Sequence, residues 1–332
     1  YLITKNFVLI MNLLSSTSIY GFYTLISRIL GYIRDILIAI FLGTSIYADA
    51  FFVAFRLPNT FRRLFAEGTF NAAFIPSYAK ENLKNKKKGK IFADNVFNLL
   101  LYALTVLVII VEIFAPFVVY LIAPGFAQDP NKLNLAIEFT RITFPFLLIV
   151  SLSSMLSGIL NTNNKFAAAA AAPIVLNIIL IFILFLSVYL ELNIAKNLSI
   201  GVTLAGVVQF LILIFFTKKF YFPSLKISFK LRNNIKIFFK KLLPSIFSAG
   251  ITQINILIGT IIASFQSGAV SYLYYADRIY QINLAIAGIA VGTVVLPNLS
   301  KKIKNNDKNS VNILQNKSLE LSLALSLPAA FG

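Results

Sequence analysis

Residues 46–66 read IYADAFFVAFRLPNTFRRLFA, an apolar segment with charges inside it. The segment is long enough to cross a lipid bilayer as an α-helix, yet it carries one aspartate and three arginines, Arg56, Arg62 and Arg63. An arginine at bilayer depth costs roughly 3 to more than 10 kcal/mol unless it faces water or a partner. Because arginine keeps its charge and its planar fork pairs with phosphate, the segment is typical of a helix that lines a cavity for an anion.

The remaining arginines follow the same pattern. Seven of the eight lie inside apolar stretches, whereas the lysines lie in loops, at helix ends or in the leading segment. The seven are Arg28, Arg34, Arg56, Arg62, Arg63, Arg141 and Arg278. Because each arginine inside an apolar stretch is costly, we expect a chain with seven of them to use these charges to bind an anion. We therefore predict a multi-span membrane transporter with a cationic cavity for a phosphate-bearing substrate.

The composition argues against several other classes of protein. Hydrophobic residues make up 58% of the 332, against about 45–50% in a typical soluble domain. The formal net charge of +18 would suggest nucleic-acid binding in a soluble protein, but the lysines are spread over many span ends and form no single face. The chain has no cysteine and no histidine, and no pair of acids recommends hydrolytic catalysis. We predict that it is not an enzyme and that it binds no cofactor, metal or nucleic acid.

The hydropathy pattern predicts an all-α polytopic membrane protein. A helix needs roughly 20 apolar residues to span a bilayer, and eight segments qualify, followed by an unfinished ninth from about 313: 17–42, 46–66, 91–122, 134–160, 167–189, 198–217, 242–266 and 270–298. The shorter segment 67–80 contains Gly68 and Pro76, which favour a cavity-lining or interfacial stretch over a continuous helix. Met11 is a plausible start, and the last residues lie inside an apolar segment, so we expect a C-terminally truncated chain.

Lysine placement predicts the orientation of the spans. The loops after spans two, six and eight are rich in lysine and the loop after span four holds Lys165, whereas the intervening loops hold only Lys132 and Lys196. Positive charge accumulates in cytoplasmic loops. The N-terminus is therefore expected in the cytoplasm.

A basic linker and a weak internal repeat predict two lobes. Residues 223–241 (PSLKISFKLRNNIKIFFKK) are typical of an interfacial amphipathic linker, which places an N-lobe at 1–222 and the start of a C-lobe at 242–332. Arg56 and Pro76 are 20 residues apart, and Arg278 and Pro297 are 19 apart in a similar setting. Repeats of the same orientation would be related by an axis along the membrane normal, with the substrate site between them.

The charged side chains of the first, second and eighth spans form the candidate site. Cavity lining is the favoured interpretation for Arg28, Arg34, Arg62 and Arg278, whereas Arg56 and Arg63 are divided between cavity lining and a structural or snorkelling role. Asp49, Arg56 and Arg63 follow at seven-residue intervals and share one helix stripe, which Asn59 widens.

Several other residues are given structural roles. Three aspartates can each neutralise an arginine, and they are Asp35, Asp49 and Asp277. Glu67 is expected as a helix-end charge and Arg141 as an ion-pair partner of Glu138. Pro58 is expected to kink its helix and to free the Ala54 carbonyl.

These segments resemble the MurJ (MviN) family, the lipid II flippases of the multidrug/oligosaccharidyl-lipid/polysaccharide exporter superfamily. The motifs that carry the resemblance follow in family order and are SRILGYIRD (27–35), DAFFVAFRLPNTFRRLFAEG (49–68), YYADR (274–278) and GTVVLP (292–297). The resemblance covers nearly the whole chain from Met11 onward.

The resemblance implies fourteen helices, of which this chain holds about eight and part of a ninth, with two six-helix lobes around a V-shaped cationic cavity. It implies alternating access in a bacterial cytoplasmic (inner) membrane, coupled to the membrane potential or to a monovalent cation. Essential family residues match Arg28, Arg34, Arg62, Arg278 and Asp49, and they engage the pyrophosphate and sugar head of lipid II. Membrane lipids and cell-wall synthesis proteins are the other partners implied.

Several alternatives stay open at this point. The chain could flip another polyprenyl-linked polysaccharide, export small amphipathic compounds or conduct anions, although cationic drugs usually require acids rather than arginines. A non-transporting scaffold that recruits cell-wall enzymes is the alternative from another class. The scaffold hypothesis predicts that the cavity arginines are dispensable and that the basic loops are not.

Overall fold

A computed structural model describes residues 2–66, 69–225, 233–283 and 308–331, together with the single residues 295 and 299. Within these ranges the regular structure is helical, which confirms the predicted all-α class. The helices are α1 Leu2–Leu42, α2 Ile46–Ala66, α3 Thr69–Lys84, α4 Lys86–Ile113, α5 Ala115–Ile122, α6 Pro130–Thr143, α7 Phe146–Thr162, α8 Phe166–Tyr189, α9 Ile194–Thr217, α10 Asn233–Ala263, α11 Ala269–Asn283 and α12 Lys308–Phe331. A short 3-10 turn, Pro124–Gln128, joins α5 to α6.

The chain divides into two compact units, residues 1–271 and 272–332, each of which is described by itself. Four helical segments of the described chain are long and apolar enough to cross a membrane: Lys86–Ile113, Pro130–Thr162, Phe166–Tyr189 and Ile194–Thr217. They overlap the predicted spans three to six. The full number of spans and the predicted lobe boundaries stay predictions, and α2 falls outside the four because it carries Asp49 and three arginines.

Two predicted spans are each broken into two helices. The stretch predicted as 91–122 ends one helix at Ile113 and begins another at Ala115, and Pro116 lies in the first turn of the new helix. The stretch predicted as 134–160 ends one helix at Thr143 and begins the next after Pro145. Proline has no backbone N–H and suits the first turn of a helix, which explains why both breaks fall beside a proline.

The prediction that 67–80 is a poor continuous helix was wrong from residue 69 onward. Helix α3 runs from Thr69 to Lys84 with Pro76 inside it. Phe70, Phe74 and Tyr78 lie one turn apart, are almost fully buried and stack at ring distances of 5.4 and 5.6 Å. This packing outweighs the one hydrogen bond that the proline removes. Glu67 and Gly68 lie outside the described residues.

Helix α10 is attached to the first helices through an aromatic socket, which we define as Phe70, Phe74 and Phe92. Phe238 of α10 is 1% exposed and meets these three rings edge-on, at 5.7, 6.3 and 6.0 Å. Edge-to-face pairs contribute about 0.5–1.5 kcal/mol each beyond the burial of their area. The socket therefore fixes the start of α10 against α3 and α4.

The segment that follows α9 is held against α4 by Asp94. Its carboxylate accepts hydrogen bonds from the Tyr221 hydroxyl at 2.9 Å and from the Ser224 backbone N–H at 3.1 Å. Asn98, one turn further on, donates to the Ser224 carbonyl at 2.9 Å. Burial, and then the neighbouring negative charge of Asp94, raise the pKa of Tyr221 above its ordinary value. The phenol therefore stays protonated and continues to donate.

Candidate functional site

Arg34 of α1 is buried, and its guanidinium is bonded on two sides. Its Nε and Nη2 donate to Oδ1 of Asp35 at 3.0 and 2.7 Å. Its Nη1 donates to Oδ1 of Asn177, on α8, at 2.8 Å. Both charged side chains of this pair are less than a tenth exposed. In this conformation the charge of Arg34 is compensated by its neighbour in sequence.

Gly31 of α1 faces the Asn177 amide of α8. A Cβ built on Gly31 would lie 3.5 Å from the amide nitrogen of Asn177, which is an ordinary van der Waals distance. The same amide nitrogen donates to the Ser27 carbonyl of α1 at 2.9 Å. The Asn177 side chain therefore joins α8 to α1 through two hydrogen bonds.

Asp49 lies at the start of α2 and is fully buried. Lys132 Nζ forms an ion pair with its Oδ2 at 2.5 Å. The backbone N–H of Gly268 donates to the same oxygen at 2.9 Å, and the N–H and hydroxyl of Ser271 donate to Oδ1 at 2.9 and 2.6 Å. We call the group Asp49, Lys132, Gly268 and Ser271 the latch, because it joins α2 and α6 to the turn between α10 and α11.

The surroundings of the latch are closely packed. Lys132 Nζ also lies 4.2 Å from the centre of the Phe126 ring, and Gly268 has a positive φ of 76° that favours glycine. Gly125 packs so tightly on the Ser264 backbone that a Cβ could not be accommodated. Asp49 was predicted to bind substrate and to neutralise an arginine, but its neutralising partner is a lysine. Its carboxylate has no surface open to a ligand in this conformation, and the substrate role stays a prediction.

Helix α2 carries the remaining predicted residues of the second span. Pro58 leaves the Ala54 carbonyl without its helical donor, and the Thr143 hydroxyl of α6 donates to it at 3.1 Å. Arg62 donates through Nε to the Asn59 side chain at 3.0 Å. Arg56, like Asn59, is 9% exposed, and Arg63 is half-buried. The predicted helix stripe thus runs from the latch towards the far end of α2.

The two remaining predicted arginines lie on α1 and α11. Arg28, on α1, is exposed. Arg278 lies in the second unit, where it donates to the Tyr274 hydroxyl at 2.8 Å and to Gln281 at 3.4 Å. Its guanidinium is 4.6 Å from the Tyr274 ring centre, and Gln281 in turn donates to Asp277 at 3.3 Å.

The predicted ion pair between Arg141 and Glu138 was wrong. Glu138 pairs with Lys196 at 2.8 Å, and Arg141 donates through Nε to the Glu112 carbonyl at 3.3 Å. Helix α4 ends at Ile113, so its last carbonyls lack helical donors and attract a cation. The Glu112 carbonyl is available as an acceptor because the predicted third span is broken there.

Sequence reasoning missed two residues of these networks. Lys132 was counted only as a loop lysine, although Asp129-Pro130 is a helix start that places it in the first turn of α6. Asn177 is an uncharged polar residue in the middle of a largely apolar 24-residue helix, which is a usable signal because polar residues in such a helix need a partner. Neither partner could be read from the sequence.

The described residues contain no group of three or more acidic, histidine or cysteine side chains placed to hold a metal ion. What they offer is fixed positive charge and hydrogen-bond donors inside an apolar bundle. Apolar helices long enough to cross a membrane, together with these buried charges, define an all-α polytopic membrane protein.

Comparison with known proteins gives the family. The profile of lipid II flippase MurJ matches residues 38–332. The probable lipid II flippase MurJ of Rhizobium meliloti (strain 1021) is 45% identical over 328 residues, which cover 96% of this chain and 61% of the relative. The chain belongs to the lipid II flippase MurJ family, as its motifs predicted.

Solved structures agree with this assignment. A lipid II flippase MurJ in an inward closed conformation matches with a TM-score of 0.78 at 29% identity, covering 93% of this chain and 63% of that one. A transporter of the MOP superfamily from Pyrococcus furiosus matches with a TM-score of 0.60 at 16% identity, covering 94% and 70%, and shows the shared fold alone. The chain spans 61% of the length of the Rhizobium meliloti relative.

Proposed function

We propose that this chain is the lipid II-binding part of a flippase that moves the pyrophosphate-linked head group from the cytoplasmic to the outer leaflet by alternating access. The observation that carries the proposal is 45% identity to a probable lipid II flippase over 96% of the chain. The arginines of the first two helices supply the physical reason.

The charge balance of α1 and α2 favours an anionic ligand. Among their described side chains, five arginines face two aspartates, and one of the aspartates, Asp49, is ion-paired with Lys132 of another helix. A positive remainder inside an apolar bundle is costly. A pyrophosphate compensates it with several acceptor oxygens, which suit the planar guanidinium better than they suit an ammonium.

In this proposal the latch acts as a gate. It holds α2, α6 and the α10–α11 turn together at one end of α2, opposite the arginines at its other end. A head group that binds the arginines from the lysine-rich side is separated from the other side while the latch is closed. Release of Gly268 and Ser271 from Asp49 opens that end. The protein performs no covalent chemistry, and the lipid tail stays in the bilayer.

Membership of the lipid II flippase MurJ family supports a bacterial cytoplasmic (inner) membrane, and the lysine distribution supports an N-terminus in the cytoplasm. Transport needs an energy source, and we propose coupling to the membrane potential or to a monovalent cation. Collapse of each gradient in turn by a selective ionophore, in vesicles that carry the protein, would identify which one drives head-group movement.

Complementation tests the function directly. Cells depleted of their own lipid II flippase would receive this chain, or the chain extended to the length of its relatives, with normal membrane abundance verified. We expect rescue by the extended protein and loss of rescue with Arg28→Ala or Arg278→Ala. Arg141→Ala is the matched control, because Arg141 is exposed and donates to the Glu112 carbonyl at a helix end; it should retain rescue.

Other results would redirect the proposal. Failure of a well-inserted extended protein, combined with rescue of cells that lack a different polyprenyl-linked polysaccharide flippase, would change the substrate and keep the pyrophosphate site. Rescue that survives both cavity substitutions but fails when the basic loops are neutralised would favour the scaffold hypothesis. Retained head-group movement without Arg28 and Arg278 would refute the cationic site.

A further inference from the structure

Asn177 is the polar residue of α8 that reaches α1, and it does so with both ends of one amide. Its side chain is 5% exposed. The amide oxygen accepts from Arg34 Nη1 at 2.8 Å, and the amide nitrogen donates to the Ser27 carbonyl at 2.9 Å. Buried amides in apolar surroundings are costly unless both ends are bonded. Here both ends are used, and both contacts are made to the helix that carries Arg28 and Arg34.

The first contact fixes the orientation of the Arg34 guanidinium. Asp35 accepts two of its N–H groups through one oxygen, Oδ1, which leaves the planar group free to pivot about that atom. Asn177 adds a second acceptor on the other terminal nitrogen and removes this freedom. Arginine has five N–H donors, so within the described part of the chain two of them, one on each terminal nitrogen, make no hydrogen bond.

The second contact fixes the backbone of α1 next to Arg28. The Ser27 carbonyl belongs to the residue directly before Arg28, one turn before Gly31. One amide therefore holds the guanidinium of Arg34 and the helix segment that presents Arg28. A substitution at Asn177 would disturb both arginines together.

We propose that Asn177 is a positioning residue for the pyrophosphate group, which orients Arg34 so that its two remaining N–H donors can meet an anion. The inference rests on the proposed function. It adds to that function a residue of α8 that is neither charged nor chemically reactive. Asn177 does not touch the anion. It sets the orientation of the Arg34 guanidinium, which does contact the anion, and thereby how strongly that guanidinium binds it.

Two variants separate this role from simple packing. Asn177→Leu keeps the volume and removes both hydrogen bonds. Asn177→Asp keeps the volume and the acceptor for Arg34, but it loses the donor to Ser27 and gives Arg34 a second carboxylate that competes with the ligand. The matched control is Asn197→Asp, because Asn197 is half-buried and bonds Ser187 at 3.0 Å.

The measurement is binding of fluorescent lipid II to the extended protein in detergent, with inorganic pyrophosphate as competitor and thermal unfolding recorded in parallel. For Asn177→Asp we expect the apparent Kd to rise about tenfold or more, because a second negative charge acts on Arg34 in a poorly screened site. Asn177→Leu should weaken binding less. Asn197→Asp should bind as the parent protein does.

Exchange of the charge between positions 35 and 177 separates an electrostatic role of Asn177 from a role in packing. In Asp35→Asn combined with Asn177→Asp, Arg34 again has one carboxylate and one amide, and binding should return to within about threefold of the parent. Equal binding by Asn177→Asp, Asn177→Leu and the parent, whatever their unfolding temperatures, would overturn the inference alone. A parent protein that does not bind lipid II would overturn the proposed function, and the inference with it.

Discussion

Replacement of Lys132 by methionine isolates the charge that neutralises Asp49. Methionine keeps much of the apolar stem of lysine and removes the ammonium that lies 2.5 Å from the carboxylate. The three remaining donors, from Gly268 and Ser271, stay in place. The carboxylate is 0% exposed, so water cannot replace the lost charge.

The size of the effect follows from this burial. Removal of one partner from a buried ion pair costs about 3–5 kcal/mol, and the loss of the cation–π contact with Phe126 adds up to about 1 kcal/mol. The three retained donors offset part of this cost. We expect a loss of about 3 kcal/mol from the latched state, which is roughly a 150-fold change in the equilibrium between latched and open forms.

The assay uses a property of the sequence. These 332 residues contain no cysteine, so a cysteine placed at Ala48, which is 0% exposed and adjacent to Asp49, reports opening through its rate of maleimide labelling. Labelling should be slow in the parent and much faster with Lys132→Met. Lys196→Met is the matched control, because Lys196 also forms an ion pair but is 49% exposed, and an exposed pair contributes about 0–1 kcal/mol.

A double variant decides whether charge is the cause. Asp49→Asn combined with Lys132→Met leaves no charged side chain in the latch and should label within a few-fold of the parent. The reasoning is refuted if Lys132→Met leaves the labelling rate unchanged. It is also refuted if the double variant opens as readily as the single one.

Three further predictions concern stability in detergent. Phe238→Ala empties the aromatic socket and should cost about 3–5 kcal/mol in the free energy of unfolding, whereas Phe222→Ala, at a ring 61% exposed, should cost little. Because the pKa of Tyr221 is raised from 10.0, its contribution is complete below pH 10.0 and is lost as the pH rises further, so Tyr221→Phe should flatten the alkaline decline in unfolding temperature. Thr143→Val leaves the Ala54 carbonyl without a donor and should cost about 1–3 kcal/mol.

Each of these predictions has a result that contradicts it. Equal unfolding temperatures for the two phenylalanine variants would show that the socket contributes nothing. An unchanged alkaline decline in Tyr221→Phe would mean that another group titrates there. A Thr143→Val protein as stable as its parent would imply that another donor takes up the Ala54 carbonyl.

The features that could be predicted from the sequence are those that depend on residues close together in the chain. Apolar length identified helices that match α2, α8 and α9, and the missing N–H of Pro58 identified a carbonyl in need of a donor. The motif around Arg28 and Arg34 identified the family. Each of these inferences uses a local property, such as hydropathy, helical spacing or the chemistry of one residue type.

The features that were missed depend on residues far apart in the chain. Lys132 meets Asp49 across 83 positions and Asn177 meets Arg34 across 143, and no local pattern encodes such pairings. Helix α3 also depends on a residue far away in the chain. Pro76 argues against a helix there, but three stacked rings and Phe238, more than 150 residues later, provide the packing that maintains it.

The order in which a ribosome delivers the latch residues has a consequence for membrane insertion. Asp49 and Lys132 are synthesised well before Gly268 and Ser271. We expect the carboxylate to enter the bundle with the lysine as its charged partner while the chain is still growing, because the donors of the α10–α11 turn are synthesised later. Lys132 would then allow an acid to be buried before its hydrogen-bond donors exist, and the turn would complete a site that is already neutral.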